Sequence, residues 1–157
     1  MVSESVCAKA PPARSARWVA MNTQIVRLGG CACGQLRFSA SGSPRRGGLC
    51  HCLTCRKAHA AAFNPFLVFA PDQVSLSGSM TAWESSPGYV RYFCGRCGSR
   101  VLAINQTVEG GEEYELSLGS FDETGLFAPQ YESWTSRREP WLPDLALPQF
   151  VGNRDTP

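Results

Sequence analysis

Lysine is nearly absent from this chain of 157 residues: Lys9 and Lys57 stand alone, and arginine supplies the rest of the 15 basic side chains. Charge of either sign is sparse, at 18% of residues, and the formal net charge is +2. That is too little for a nucleic-acid groove. No run of ~18 apolar residues occurs, which excludes a helical membrane span. Met1 to Trp18 lacks the apolar stretch of a secretory signal. There is no Ser–His–Asp pattern, phosphate loop, basic–aromatic stripe or tandem repeat, and histidine occurs only at 51 and 59. At 43% hydrophobic residues the chain is too apolar for disorder and long enough for one domain.

Cysteine is the outlier, with eight at positions 7, 31, 33, 50, 52, 55, 94 and 97. Neighbours one or two residues apart close poor disulfides with each other. Such clusters suit a borderline-soft cation that takes four ligands at about 2.3 Å. With no export signal, a reducing cytoplasm and bound zinc is the favoured reading over a disulfide scaffold.

Residues 1–21 are rich in Ala, Arg, Ser and Pro and read as a disordered extension, an organelle transit segment being the alternative. Cys7 lies there, a free thiol without a role. Residues 22–157 read as a single zinc-binding domain. Gln24–Leu28 alternates weakly, and Gln35–Ala40 alternates polar and apolar at period two, as a strand with one wet face does. Ser41 to Gly48 reads as a loop. Leu53–Ala62 has no Gly or Pro and predicts a short helix. Phe63–Phe69 is β-like with Pro65 inside it, hence an edge strand. Residues 74–76, 81–84, 89–93, 101–104, 114–118 and 131–135 are further short strands, and the chain past Pro140 reads as irregular. Several short strands between Gly, Ser and Pro mean a mainly β domain of antiparallel sheets with short helical segments, stapled by zinc.

The thiols divide into two sets. Cys31-Ala-Cys33-Gly34 and Cys94-Gly-Arg-Cys97-Gly98 each end in Cys-Gly, where glycine permits a tight turn with N–H groups aimed at sulfur. Two such turns facing each other make a closed structural Cys₄ site. Cys50-His51-Cys52-Leu53-Thr54-Cys55 gives three convergent thiols and no obvious fourth ligand. Three ligands and an open position are the catalytic arrangement of zinc, able to hold a substrate thiol as thiolate. His59, four residues past Cys55, offers an alternative: it would close the site as Cys₃His and leave a non-catalytic interaction module. His51, flanked by ligands, is directed away from the metal, toward the surface or the surrounding shell. Seven coordinated thiolates and two zinc ions would bring the net charge from +2 to about −1.

Gly30-Cys31-Ala-Cys33-Gly34, then Cys50-His51-Cys52-x-x-Cys55-Arg56-Lys57, then Arg91-Tyr92-Phe93-Cys94-x-x-Cys97-Gly98-Ser99 resemble the glutathione-dependent formaldehyde-activating enzyme family, which includes centromere protein V. The resemblance spans about Leu28 to Phe150. It implies an Mss4-like fold of two packed antiparallel sheets, a structural zinc on Cys31, Cys33, Cys94 and Cys97, and a second zinc on Cys50, Cys52 and Cys55. It further implies a carbon–sulfur lyase joining glutathione to formaldehyde as S-hydroxymethylglutathione. The chain departs from the family in two places. Glu132 stands where members often carry a histidine, and Ala60 where they often carry a glycine.

The partner expected is a small thiol, glutathione or its adduct, with no nucleic acid and no membrane. Arg56, Lys57, Arg91, Arg96 and Arg100 flank the motifs and read as solvated surface charges. Most of the aromatic residues read as core. Trp134 and Glu132, on the same side of a strand, read together as a pocket wall.

Overall fold

The computed structural model describes residues 25–154. The 1–21 extension and Cys7 lie outside the described residues. The chain runs through β1 (Val26–Gly30), β2 (Arg37–Ser41), β3 (Arg46–Cys50), α1 (Leu53–His59), β4 (Asn64–Phe69), β5 (Val74–Ser77), β6 (Thr81–Ser86), β7 (Tyr89–Phe93), β8 (Arg100–Asn105), β9 (Glu113–Ser117), β10 (Glu132–Ser133) and β11 (Gln149–Phe150). The domain is mainly β, as its short alternating runs predict. One sheet has the order β1-β2-β5, and the other β11-β10-β3-β4-β9-β8-β7-β6. All pairings are antiparallel except those of the two-residue β10 with β3 and β11, which are parallel. The strand expected over 131–135 thus shortens to two residues, and the tail past Pro148 adds one more strand.

The two sheets meet over the main core. Leu36, Phe38 and Ala40 from around β2 pack on Leu67 and Phe69 of β4, Leu102 and Ile104 of β8 and Leu116 of β9. Burial of each large side chain contributes roughly 1.5–3 kcal/mol. Phe38 and Phe121 meet edge to face with centroids 4.9 Å apart. Of the aromatics, Trp83 and Trp141 do not join a core and are largely exposed.

Three local expectations change. β4 is central rather than an edge, despite Pro65. Leu49, opposite Pro65, turns its N–H to Tyr131 O at 2.9 Å, away from β4. The nitrogen of Pro65 therefore faces β9, whose pairing with β4 begins one residue later at Phe66↔Ser117. The proline thus sits where no ladder bond is required. Gly47 and Gly48 belong to β3, not to a loop. A Cβ at Gly47 would lie 2.6 Å from Leu67 Cδ2, and one at Gly48 would lie 2.7 Å from the Tyr131 ring. Glycine there lets neighbouring side chains cross the strand closely. Finally, α1 stops at His59 because Ala60 adopts the left-handed conformation at φ 49°.

A left-handed helix terminus favours glycine, since Cβ crowds the following carbonyl. Ala60→Gly is expected to stabilise the domain by about 0.5–1 kcal/mol, read as a higher midpoint in urea denaturation with an unchanged slope.

Candidate functional site

The turn between β1 and β2 and the turn between β7 and β8 bring Cys31, Cys33, Cys94 and Cys97 together, all four Sγ atoms lying within 4.8 Å of one another. Gly34 and Gly98 both take left-handed φ, 78° and 74°, so each Cys-Gly turn does what its composition predicts. Leu36 N–H donates to Cys31 Sγ at 3.2 Å and holds that thiol's pKa below its ordinary value. The Ser99 hydroxyl, 3.3 Å from Cys97 Sγ, brings that thiol down to about 5. Ser99 Oγ also accepts from Ala32 N at 3.1 Å, tying the two turns together. Backbone and hydroxyl donors thus favour thiolate at Cys31 and Cys97, while the neighbouring Cys31 sulfur pushes Cys33 up to about 11; the four sulfurs together could hold zinc as a closed site.

Cys50 ends β3, Cys52 caps α1 and Cys55 sits in the helix's first turn. Their Sγ atoms also lie within 4.8 Å of one another. Cys52 Sγ accepts from Cys55 N at 3.3 Å, as a helix cap does. Hydrogen bonds from the Cys50 and Cys55 thiols hold Cys52 far below the ordinary thiol value. Arg91, from β7, reaches Cys55 Sγ with Nη2 at 3.6 Å. Its guanidinium stacks on Tyr89 at 4.7 Å, and its Nε donates to Ser85 Oγ at 2.9 Å. Arg91 is 5% exposed, so it is an interior cation facing sulfur and not the solvated charge expected.

The three thiols open onto a cleft of about 350 Å³, over the face of the large sheet opposite the main core. Its lining includes Tyr89, Arg91, Glu115, Tyr131 and Trp134. This face is polar. Arg46 of β3 makes a two-point ion pair with Glu113 of β9, and the Tyr89 hydroxyl and Glu115 Oε2 share a hydrogen bond. No fourth His, Cys, Asp or Glu joins Cys50, Cys52 and Cys55 among the described residues. Three thiols, a cationic neighbour and an open side fit a zinc ion with one position left for a ligand from the cleft.

Residues 26–137 match the family described as glutathione-dependent formaldehyde-activating enzyme. The chain belongs to that family. The crystal structure of a Rhodobacter sphaeroides protein has the same fold, at a TM-score of 0.51 and 16% identity, covering 78% of this chain and 98% of that one. No curated protein matches the chain in sequence.

Against the family pattern, the two histidines have definite places. His59 does not join the three thiols. It lines a second cavity of about 810 Å³ with Cys31, Ser99, Arg100 and Asp122, and burial holds its pKa down to about 4. His51 is wholly buried, so of its two expected places the surface is excluded. Its Nε2 lies 3.3 Å from Glu132 Oε1, and Arg138 Nε donates to the same oxygen at 3.0 Å. Glu132, fully buried, is therefore the carboxyl group between two basic side chains and, against expectation, does not line the cleft of the three thiols. Trp134 does wall the cleft as expected: it takes left-handed φ, 59°, which breaks the strand and ends the alternation with Glu132. Sequence reasoning missed Tyr89, Glu115, Arg46 and Glu113. Only Tyr89 and Glu115 fall inside runs predicted to be strands; Arg46 lies in the stretch read as a loop, and Glu113 one residue before a predicted strand.

Metal analysis of the purified protein is expected to give two zinc ions per chain. Cys52→Ser should lose one and keep its far-ultraviolet circular dichroism, whereas Cys94→Ser should lose cooperative unfolding. Glu132→Ala removes the partner of His51 Nε2 and of Arg138 Nε, while the other Arg138 nitrogens keep Leu142 O and Pro143 O, and should cost about 1–3 kcal/mol in equilibrium unfolding.

Proposed function

We propose that the protein is a zinc-dependent carbon–sulfur lyase that joins a small thiol to an aldehyde and reverses the reaction, with glutathione and formaldehyde as the pair its family name suggests. The observation that carries this reading is the convergence of Cys50, Cys52 and Cys55, without a fourth protein ligand, on the wall of a cleft. In this reading Cys31, Cys33, Cys94 and Cys97 hold a structural zinc and the three-thiol set holds a second. Residues 22–157 act as one domain in the reducing cytoplasm, residues 1–21 being an extension.

A zinc ion on the three thiols supplies Lewis acidity that keeps a substrate thiol ionised near neutral pH. The protein's own residues do the rest. Arg91 fixes Cys55 and offsets the negative charge gathered there. Tyr131 and Trp134 enclose one side of the cleft, and Thr54, Asn105 and Asn153 give it hydrogen-bonding walls suited to a peptide-like thiol. Holding thiol and aldehyde in one small space lowers the entropic cost of their encounter.

The absence of His59 from the thiol set favours the open site over the closed, non-catalytic module. Cobalt substitution separates the two. Added glutathione should shift the visible spectrum of the cobalt at Cys50, Cys52 and Cys55, and an unresponsive spectrum would indicate a closed site. A screen of thiol–aldehyde pairs should show acceleration above the spontaneous reaction, lost in Cys52→Ser.

A further inference from the structure

We propose that Tyr89 is the proton donor of the cleft, giving its hydroxyl hydrogen to the aldehyde oxygen, and that Glu115 replenishes it from behind. This rests on the lyase reading above. The pair is built by strand register. Arg91, Ala103 and Glu115 are opposite one another across β7, β8 and β9, as are Tyr89, Asn105 and Glu113 one step along. Ala103, between Arg91 and Glu115, has too small a side chain to obstruct the diagonal, so the Tyr89 hydroxyl crosses β8 and meets Glu115. Both side chains line the cleft that holds the three thiols, and the Tyr89 ring carries the Arg91 guanidinium that reaches Cys55.

Two acids two residues apart on β9 have different duties. Glu113 takes both hydrogen bonds of Arg46 and also faces Arg45 at 3.7 Å. Among the described residues Glu115 takes its hydrogen bond from Tyr89 and from no cation. Arg46, Arg91, Glu113 and Tyr131 also face it. Desolvation pushes its carboxyl upward in pKa, so it holds a proton more readily than an exposed glutamate.

In the forward direction the substrate thiolate forms the sulfur–carbon bond while the carbonyl π pair moves to oxygen. That oxygen takes the Tyr89 proton, Tyr89 takes the proton of Glu115, and the carboxylate left behind is reprotonated by the hydrogen released when the next thiol ionises. Atoms and charge balance, and no oxidant or reductant is used.

The test compares native protein, Tyr89→Phe and Glu115→Gln, each loaded with zinc, with glutathione and formaldehyde as the first probe pair. Both variants should keep the native zinc content. Each should lose about 100-fold or more in kcat in both directions, with KM little changed. Infrared spectroscopy of the substrate-free protein should show a protonated-carboxyl band that disappears in Glu115→Gln. Should Tyr89→Phe not fold, a fluorotyrosine at position 89 keeps the hydroxyl while lowering its pKa, and should shift the pH profile of kcat. Native turnover in Tyr89→Phe, an unshifted fluorotyrosine profile, or an ionised Glu115 overturns the pair while leaving the lyase reading intact. If the native protein accelerates no thiol–aldehyde pair, the reading and the pair fall together.

Discussion

Sulfur crowding is the constraint on which the domain depends. Cys31 and Cys33 Sγ lie 3.5 Å apart, and Cys33 and Cys94 Sγ 3.7 Å. Two thiolates about 4 Å apart repel by roughly 4 kcal/mol at an effective dielectric constant of 20. Four cannot share such a space as bare anions. They must keep protons or surround a cation, and the donors around Cys31 and Cys97 favour the second. The two turns that carry them belong to different sheets, so a cation held there would tie the small sheet to the large one at one point. The second cluster obeys the same rule with different means. Its neighbour is a guanidinium instead of a ring of backbone donors, and one side is left open.

The large sheet has two buried faces of opposite character. One carries Leu67, Phe69, Leu102, Ile104 and Leu116 and makes an ordinary sandwich core. The other carries Arg46 paired with Glu113, Tyr89 with Glu115 and Arg91 with Cys55, beside a small apolar cluster of Phe66, Val68 and Tyr131. Interior charges are costly unless partnered, so this face is maintained by strict register. A one-residue slip would send the ions into the hydrocarbon and the leucines into the cleft. The polar face is where the three-thiol cluster opens, and its placement follows from strand alternation alone.

Much of this was legible in the sequence, for a physical reason. Metal ligands need fixed spacing along the chain, so both thiol sets and the glycines that turn them could be read directly. Strands announce themselves by period two, and most were located within a residue or two. What escaped depends on pairing between distant strands. Pro65 reads as an edge until the register shows its nitrogen just short of the β9 ladder. Gly47 and Gly48 read as a loop until Leu67 and the Tyr131 ring are seen to need their space. His51 reads as an outward-facing residue because its partners, Glu132 and Arg138, lie more than eighty positions away. Arg91 looks like any arginine beside a motif until β7 places it on Cys55.

The scarcity of lysine takes on a meaning from these interior pairs. Arg91 is buried against Cys55, and Arg46 and Arg138, partly buried, pair with Glu113 and Glu132. A guanidinium does not give up its proton inside a protein, whereas a desolvated ammonium readily does. The positive half of the interior is therefore a fixed scaffold of charge, indifferent to surrounding acidity. Any response of this domain to pH must originate in its sulfurs, carboxyls, imidazoles and phenols, and the arginines serve as the constant reference against which those groups change state.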